Sequence, residues 1–593
     1  MLFDGRVARG FDSYRVYRMP WVGRPTDAPA VATQANGVST TVWASWNGAT
    51  EVARCRGRGA GDLQVDHDRV ELPRRVSKPS LSVLLAAVLG ALALAAPGPA
   101  SAAGAPVLPG EYPDPTVVRH GDGYVAMATS NRWAPVFPVL VSDDLVSWRQ
   151  AGSVYQRAPR WATGRRFWAP ELTVARGRLL VVYAGLKRNG QWCIGAATAA
   201  RAAGPWRDRG PVLCRPGGAI DPAVVTGEDG RSYLVYKAKG VGGALYARPL
   251  DLDTLRTRGP ATKLLEPERG ERGVTEAPAL LRRDGWWYLL FSSGNCCGPP
   301  CTYVERVARS RSLLGPYTKL EAPVLRDTAD WRCLGHGTPV DLGDGRVALL
   351  HHGYRFADMG NRRRVGLLSL LRFGAEGWPA AEGGPVDAAA PAALGAEPAP
   401  APDRLSDDFA GRELSVAWQW IARSEQPGVR VAGRRLDLGC GPYATVTRQV
   451  GDDRFEAAVT VRPAPGPDGI ATLGLHERDG MLRGVEIRDG SARTVRRRAD
   501  SVKLGPAVRV PRDRAVRVRV TALDDGDLRA EVRRGERWVR VPGGPAARGD
   551  EPTRVALACR GSGRTARFTA LRVEGATPGV ALAVQPQADR SAR

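Results

Sequence analysis

Three acidic residues stand at matching steps of a repeating pattern: Asp114 in YPDPTVV, Asp221 in AIDPAVV and Glu276 in VTEAPAL. Cleaving a glycosidic bond with inversion takes a carboxylate that activates water and a carboxylic acid that protonates the leaving oxygen. The two stand about 6.5–9.5 Å apart so that the water fits between them. A third carboxyl in the pocket separates the proton affinities of its neighbours, because like charges do not all ionise cheaply. A lone Asp-Pro step usually marks only a turn; it is the recurrence of three acids at one spacing that implies chemistry. Glu171 follows its proline instead of preceding it and reads as structural or as a contact at the rim. Trp133, Phe137 and Trp168 flank the same segments and are candidates to stack on a sugar ring, in competition with a plain core role.

The elements that must position these residues repeat along the chain. Five x-Pro steps put prolines at 115, 170, 222, 278 and 339, each leading into apolar residues. Each is followed by a Gly-containing turn and a second strand-like run: GDGYVAMATS, RGRLLVVYAG, EDGRSYLVYKA, RDGWWYLLFSS and GDGRVALLHHG. A period near 55 residues with several strands per unit predicts an all-β fold, a five-bladed β-propeller over residues 108–380. The period-two runs exclude a helical array. The first strand of each blade lines the central channel, so acids at equivalent steps of different blades converge on one pocket. An Ala/Pro-rich linker is expected over 381–404. Short alternating segments such as DRFEAAVTVRP, GIATLGLHER and AVRVRVTALD then predict a β-sandwich over 405–577, with a tail at 578–593.

Upstream, Arg74, Arg75 and Lys78 precede the apolar stretch Leu81–Ala96 and the small-residue string Ala100-Ser101-Ala102. This is the pattern of a secretory signal peptide, placed at 76–102, and it is short for a membrane span, which takes about 20 apolar residues. The expected location is therefore extracellular, with no membrane association after cleavage. Residues 1–75 in front of it read as a neighbouring-gene remnant or a misplaced start, with a genuine fusion as the alternative. Eight cysteines lie downstream of the signal, an even number that suits disulfides in an exported protein. Cys440 with Cys559 and Cys193 with Cys214 are the expected pairs, whereas the CCGPPC cluster at 296–301 lacks the histidines of a zinc site. The formal charge of +24 comes mostly from arginine, since lysine occurs only seven times. No dense basic run interleaved with aromatics is present, so nucleic acid is not an expected partner, and an acidic polysaccharide remains as an electrostatic one.

The strings YPDPTVV, AIDPAVV and VTEAPAL, with FPVLVSDDLVSW and FWAPEL, resemble glycoside hydrolase family 43 over Gly110 to about Pro379. The resemblance implies Asp114 as general base, Asp221 as the residue that raises and orients the acid, and Glu276 as general acid. It also implies that His336 of GHGTPV sits on the central axis, in contact with substrate or near a structural calcium held through waters. No cofactor is required. An active-site arginine is expected among Arg362, Arg363 and Arg364, with Arg363 taken as the substrate contact. The implied enzyme is a monomeric, inverting hydrolase of polysaccharides or oligosaccharides of the plant-wall pentosan class, of arabinofuranosidase or xylosidase type. Endo-arabinanase and exo-galactanase activities are alternatives within the family, and a non-catalytic carbohydrate-binding propeller is the alternative of another class. The opening of the tail region, DDFAGRELSVAWQW, is similar to concanavalin-like domains appended to glycosidases. Tyr17–Ala32 and Val42–Arg54 resemble the C-terminal part of bacterial arylsulfotransferase-type proteins.

Overall fold

The computed structural model describes residues 105–575 apart from short breaks, together with the strand segments Val31–Ala35, Val38–Val42, Val52–Cys55 and Ala581–Leu582. The expected signal segment and most of the expected linker and tail lie outside the described residues. The chain divides at Ala100/Ser101 into two compact units. In the first, the three short upstream strands form one antiparallel sheet.

From Thr116 to Ala381 five sheets follow one another; in blades two, four and five the strands are hydrogen-bonded in chain order, and in blade three Thr262–Leu265 pairs back on Leu245–Asp251. Blade one contains Thr116–His120, Gly123–Met127, Val136–Ser142 and Arg149–Tyr155. Blades two, three, four and five open with Trp168–Ala175, Ala219–Thr226, Glu276–Arg283 and Trp331–Asp341. Period-two alternation here does not separate core from solvent, because each blade is sandwiched between two others. Val125 and Met127 pack toward blade two, while their neighbours Tyr124 and Ala126 pack toward blade five. Leu180 and Val182 likewise face blade three, and Leu179 and Val181 face blade one. One apolar cluster fills each of the five gaps between adjacent blades. At about 1.5–3 kcal/mol for each large aliphatic side chain removed from water, these gaps supply most of the drive to close the ring. Closure is sealed by residues 107–112: Leu108 exchanges two backbone hydrogen bonds with Gly366 of blade five, and the Tyr112 N–H donates to Arg364 O.

Beyond residue 404 two seven-stranded antiparallel sheets share one core built around Trp418, Leu436, Val459, Leu473, Val485 and Phe568. Both expected cysteine pairs are bonded, Cys193–Cys214 and Cys440–Cys559, and the CCGPPC cluster forms Cys296–Cys297 and Cys301–Cys333.

Candidate active site

The opening strands of the blades carry a shared distortion. Asp114, Ala169, Asp221, Ala277 and His336 all have positive φ, between 42° and 57°. Non-glycine residues avoid this region at a cost of order 1–2 kcal/mol, so its recurrence around the ring marks a built-in device. In blades two to five the pairing with the next strand slips at or near that step. A bulge of this kind bends the strand and re-aims a side chain, and here Asp221, Glu276 and His336 come together with Asp114. Gly335 is required beside it, since a Cβ there would lie 2.6 Å from the Tyr303 ring.

Asp114 is met by a guanidinium, a hydroxyl and two imidazoles. Its Oδ1 accepts from the Arg364 guanidinium at 2.7 Å, and its Oδ2 accepts from the Thr129 hydroxyl at 2.7 Å. His336 Nδ1 and His352 Nδ1 stand 3.4 and 3.5 Å from Oδ1. Burial by itself would raise this carboxyl. Arg364, His336 and the Thr129 hydroxyl more than offset it and hold the group well below the usual carboxylate range. The Asp114 N–H donates to His352 Nδ1, which assigns that ring's proton to Nε2, and burial keeps His352 neutral.

The opposite side of the pocket holds Glu276. Its Oε2 lies 2.6 Å from the Lys237 ammonium, and its Oε1 accepts from the Tyr303 hydroxyl at 2.9 Å. Asp221 is buried, accepts from the Ala277 N–H at 3.2 Å, and is pushed up to about 6, first by burial and then by the Glu276 charge. Lys237 is raised because Glu276 and Asp221 outweigh its desolvation. The Tyr303 ring stacks parallel to His352 with centres 5.6 Å apart and so bridges the two sides.

The three acids are thus brought into one pocket with His336. Other expected contacts are placed differently. Phe137 is fully buried against Phe167 and Tyr183 in the gap between blades one and two and cannot meet a sugar. Trp133 is buried at the seam with the C-terminal sheets, edge-on to His476 and beneath the Arg554 guanidinium at 4.1 Å. Arg363 turns away and donates to Val450 O at 3.1 Å, and its neighbour Arg364 is the arginine that meets Asp114. Trp168 keeps a position at the mouth of blade two, with its Nε1–H on Asn131 Oδ1 at 2.8 Å. Glu171 lies inside the channel and accepts from the Thr338 hydroxyl, and burial raises it to about 8.

Lys237, Tyr303, Thr129 and His352 were not among the expected residues, and Arg364 was one of the three candidate arginines. Lys237 left a signal, being one of seven lysines and set in the otherwise apolar run YLVYKA. As for calcium, the ion takes six to eight oxygen ligands, and His336 offers a single ring. Among the described residues no group of three or more His, Cys, Asp or Glu side chains is placed to hold a metal, and Asp114 is already matched by Arg364. The residues do not fit a directly held ion, and no step below is routed through one.

The sequence profile of Glycosyl hydrolases family 43 matches residues 103–379. The chain is 27% identical over 408 residues to a xylan 1,3-beta-xylosidase of Vibrio sp, covering 64% of this chain and 68% of that protein. It is 28% identical over 287 residues to the extracellular endo-alpha-(1->5)-L-arabinanase 1 of Bacillus subtilis (strain 168), covering 45% and 86%. Among solved structures, Bacteroides ovatus xyloglucan PUL GH43B superposes with a TM-score of 0.69 at 20% identity, covering 80% of this chain and 99% of its own. That likeness establishes the shared fold. Residues 103–379, where three acids converge within a five-bladed ring, match the model of Glycosyl hydrolases family 43, and the chain is similar there to hydrolases of O-glycosyl bonds.

Proposed function

We propose that the chain is a secreted, inverting glycosidase that removes pentosyl units from plant-wall glycans, of arabinofuranosidase or xylosidase type. The observation that carries this reading is the contrast between carboxyls in one pocket. Asp114 is held ionised by Arg364, His336 and the Thr129 hydroxyl, ready to take a proton from water, whereas Asp221 is pushed up beside Glu276. Two carboxyls this close do not both ionise cheaply, so the Asp221–Glu276 pair retains one proton at mildly acidic pH. Delivered from Glu276, that proton neutralises the leaving oxygen. Lys237 and Tyr303 fix the Glu276 carboxyl in place, and the carboxylate left after transfer stays beside the Lys237 ammonium. Relatives named as a xylosidase and an arabinanase support a pentosan substrate, and the signal-like segment at 76–102 supports export.

The experiment is hydrolysis of a panel of aryl pentosides and hexosides, with proton NMR of the first-formed anomer. Cleavage of an aryl pentoside to the inverted sugar is expected. A retained anomer, or turnover of hexosides only, would overturn the reading.

A further inference from the structure

At the mouth of blades two and three the structure holds a second cluster, contiguous with the catalytic pocket. Trp168 and Trp192 pack with ring centres 4.1 Å apart. The Arg166 guanidinium lies over both, 5.5 Å from the Trp168 ring and 6.0 Å from the Trp192 ring, and the Lys239 ammonium stands 5.8 Å from Trp192. Arg215 borders the same patch: its guanidinium donates to Gly218 O, and a Cβ on Gly218 would touch both Trp192 and Lys239. The Cys193–Cys214 bond ties the residue after Trp192 to the residue before Arg215, so the cations and rings are fixed relative to one another.

This cluster grows directly out of the active site. Lys239 lies two residues beyond Lys237, the partner of Glu276. Ile220, next to Asp221, packs against Trp192. On the other flank Trp168 precedes Ala169, whose N–H donates to the Thr129 hydroxyl that bonds Asp114. Among the described residues, none of Arg166, Arg215 and Lys239 forms an ion pair with a carboxylate. Cation–π contacts at such half-exposed positions give only about 0.5–1 kcal/mol each and leave the charges uncompensated by any carboxylate. A carboxylate entering beside them would compensate these charges, and the adjoining Trp168–Trp192 pair supplies apolar surface for a sugar ring.

We infer that this cluster is a binding subsite for an anionic sugar, and that the substrate is a pentosan carrying uronic acid groups near the bond that is cleaved. The inference rests on the glycosidase reading above and adds the substrate's charge to it. The test compares two oligosaccharides of the same pentosyl backbone, one neutral and one bearing a uronic acid next to the scissile residue, alongside an aryl pentoside that occupies only the catalytic pocket. The acidic oligosaccharide is expected to have about tenfold higher kcat/KM than the neutral one, with the advantage collapsing in 0.5 M salt. Arg166→Gln and Lys239→Gln should each remove most of that advantage, through KM, and leave aryl pentoside turnover unchanged. Equal kcat/KM for both oligosaccharides, or an advantage indifferent to salt and to both variants, overturns the anionic subsite while leaving the glycosidase reading intact. Absence of aryl pentoside turnover by the wild type instead overturns the glycosidase reading itself. Should a variant not fold, calorimetric titration of the wild-type full chain with the acidic oligosaccharide at low and high salt decides the point. Binding insensitive to salt counts against the subsite.

Discussion

The two sides of the catalytic pocket are built from different parts of the chain. Glu276 is held by Lys237 and Tyr303, from blades three and four, close neighbours in sequence. Asp114 is held by Arg364, which is 250 residues away, by His336 and His352 of blade five, and behind them by the C-terminal sheets. Glu111 accepts from the Arg364 N–H, and its own N–H donates to Gln449. Arg363, beside Arg364, is tied to Val450 O. Arg554 joins the same seam: it donates to Gln419 and lies within electrostatic reach of Glu111 and Tyr112. The acid side is therefore local to two adjacent blades. The Asp114 side depends on ring closure and on the C-terminal sheets, which places the proposed general base at the junction of the whole unit.

Variants on each side can break this comparison. The largest effect is expected for Asp114→Ala, which should cut kcat/KM by about a thousandfold or more on both poor and activated leaving groups. Glu276→Gln should fall by a similar factor on natural glycans and by much less on activated aryl glycosides, and equal losses on both would count against the acid role. Next comes Arg364→Met. It removes the charge that holds Asp114 low, so an acidic limb should enter the pH–rate profile near the ordinary carboxylate range, with a drop of about ten- to a hundredfold at low pH. In the wild type the Asp114 carboxyl is depressed, so activity should not fall on that side until far below it. The wild-type alkaline limb should instead lie near pH 6, where the proton kept by the Asp221–Glu276 pair is lost as pH rises. Lys237→Met removes a cation that lowers Asp221, so that limb should move to higher pH while the acidic side stays unchanged. The smallest effect is expected for Gln449→Ala, a loss of about two- to fivefold from one hydrogen bond that steadies Glu111. It should shift only the acidic side of the profile, and a change confined to the alkaline limb would contradict the division of the pocket.

Legibility in the sequence followed the same division. The repeated x-Pro steps made the blade count and the three acids readable, because each acid sits one or two residues before the proline of its own repeat. Phe137 was not separable from a sugar platform, since an aromatic residue beside a motif looks alike whether it points into a gap between blades or out of the mouth. Arg363 and Arg364 are adjacent and chemically identical. Which one turns toward Asp114 depends on where Val450 and Glu111 lie, on elements far off in sequence. Trp133 became a seam residue through His476 and Arg554, which belong to the C-terminal sheets.

By itself, then, the sequence determined the repeat, the all-β architecture, two of the disulfides and the three carboxyls, all of which are written in local periodicity and residue type. Only the tertiary structure decided how those carboxyls differ. Proton affinity is set by burial and by charges within a few ångströms, and Arg364, His352, Lys237 and Tyr303 reach those positions only when the ring closes.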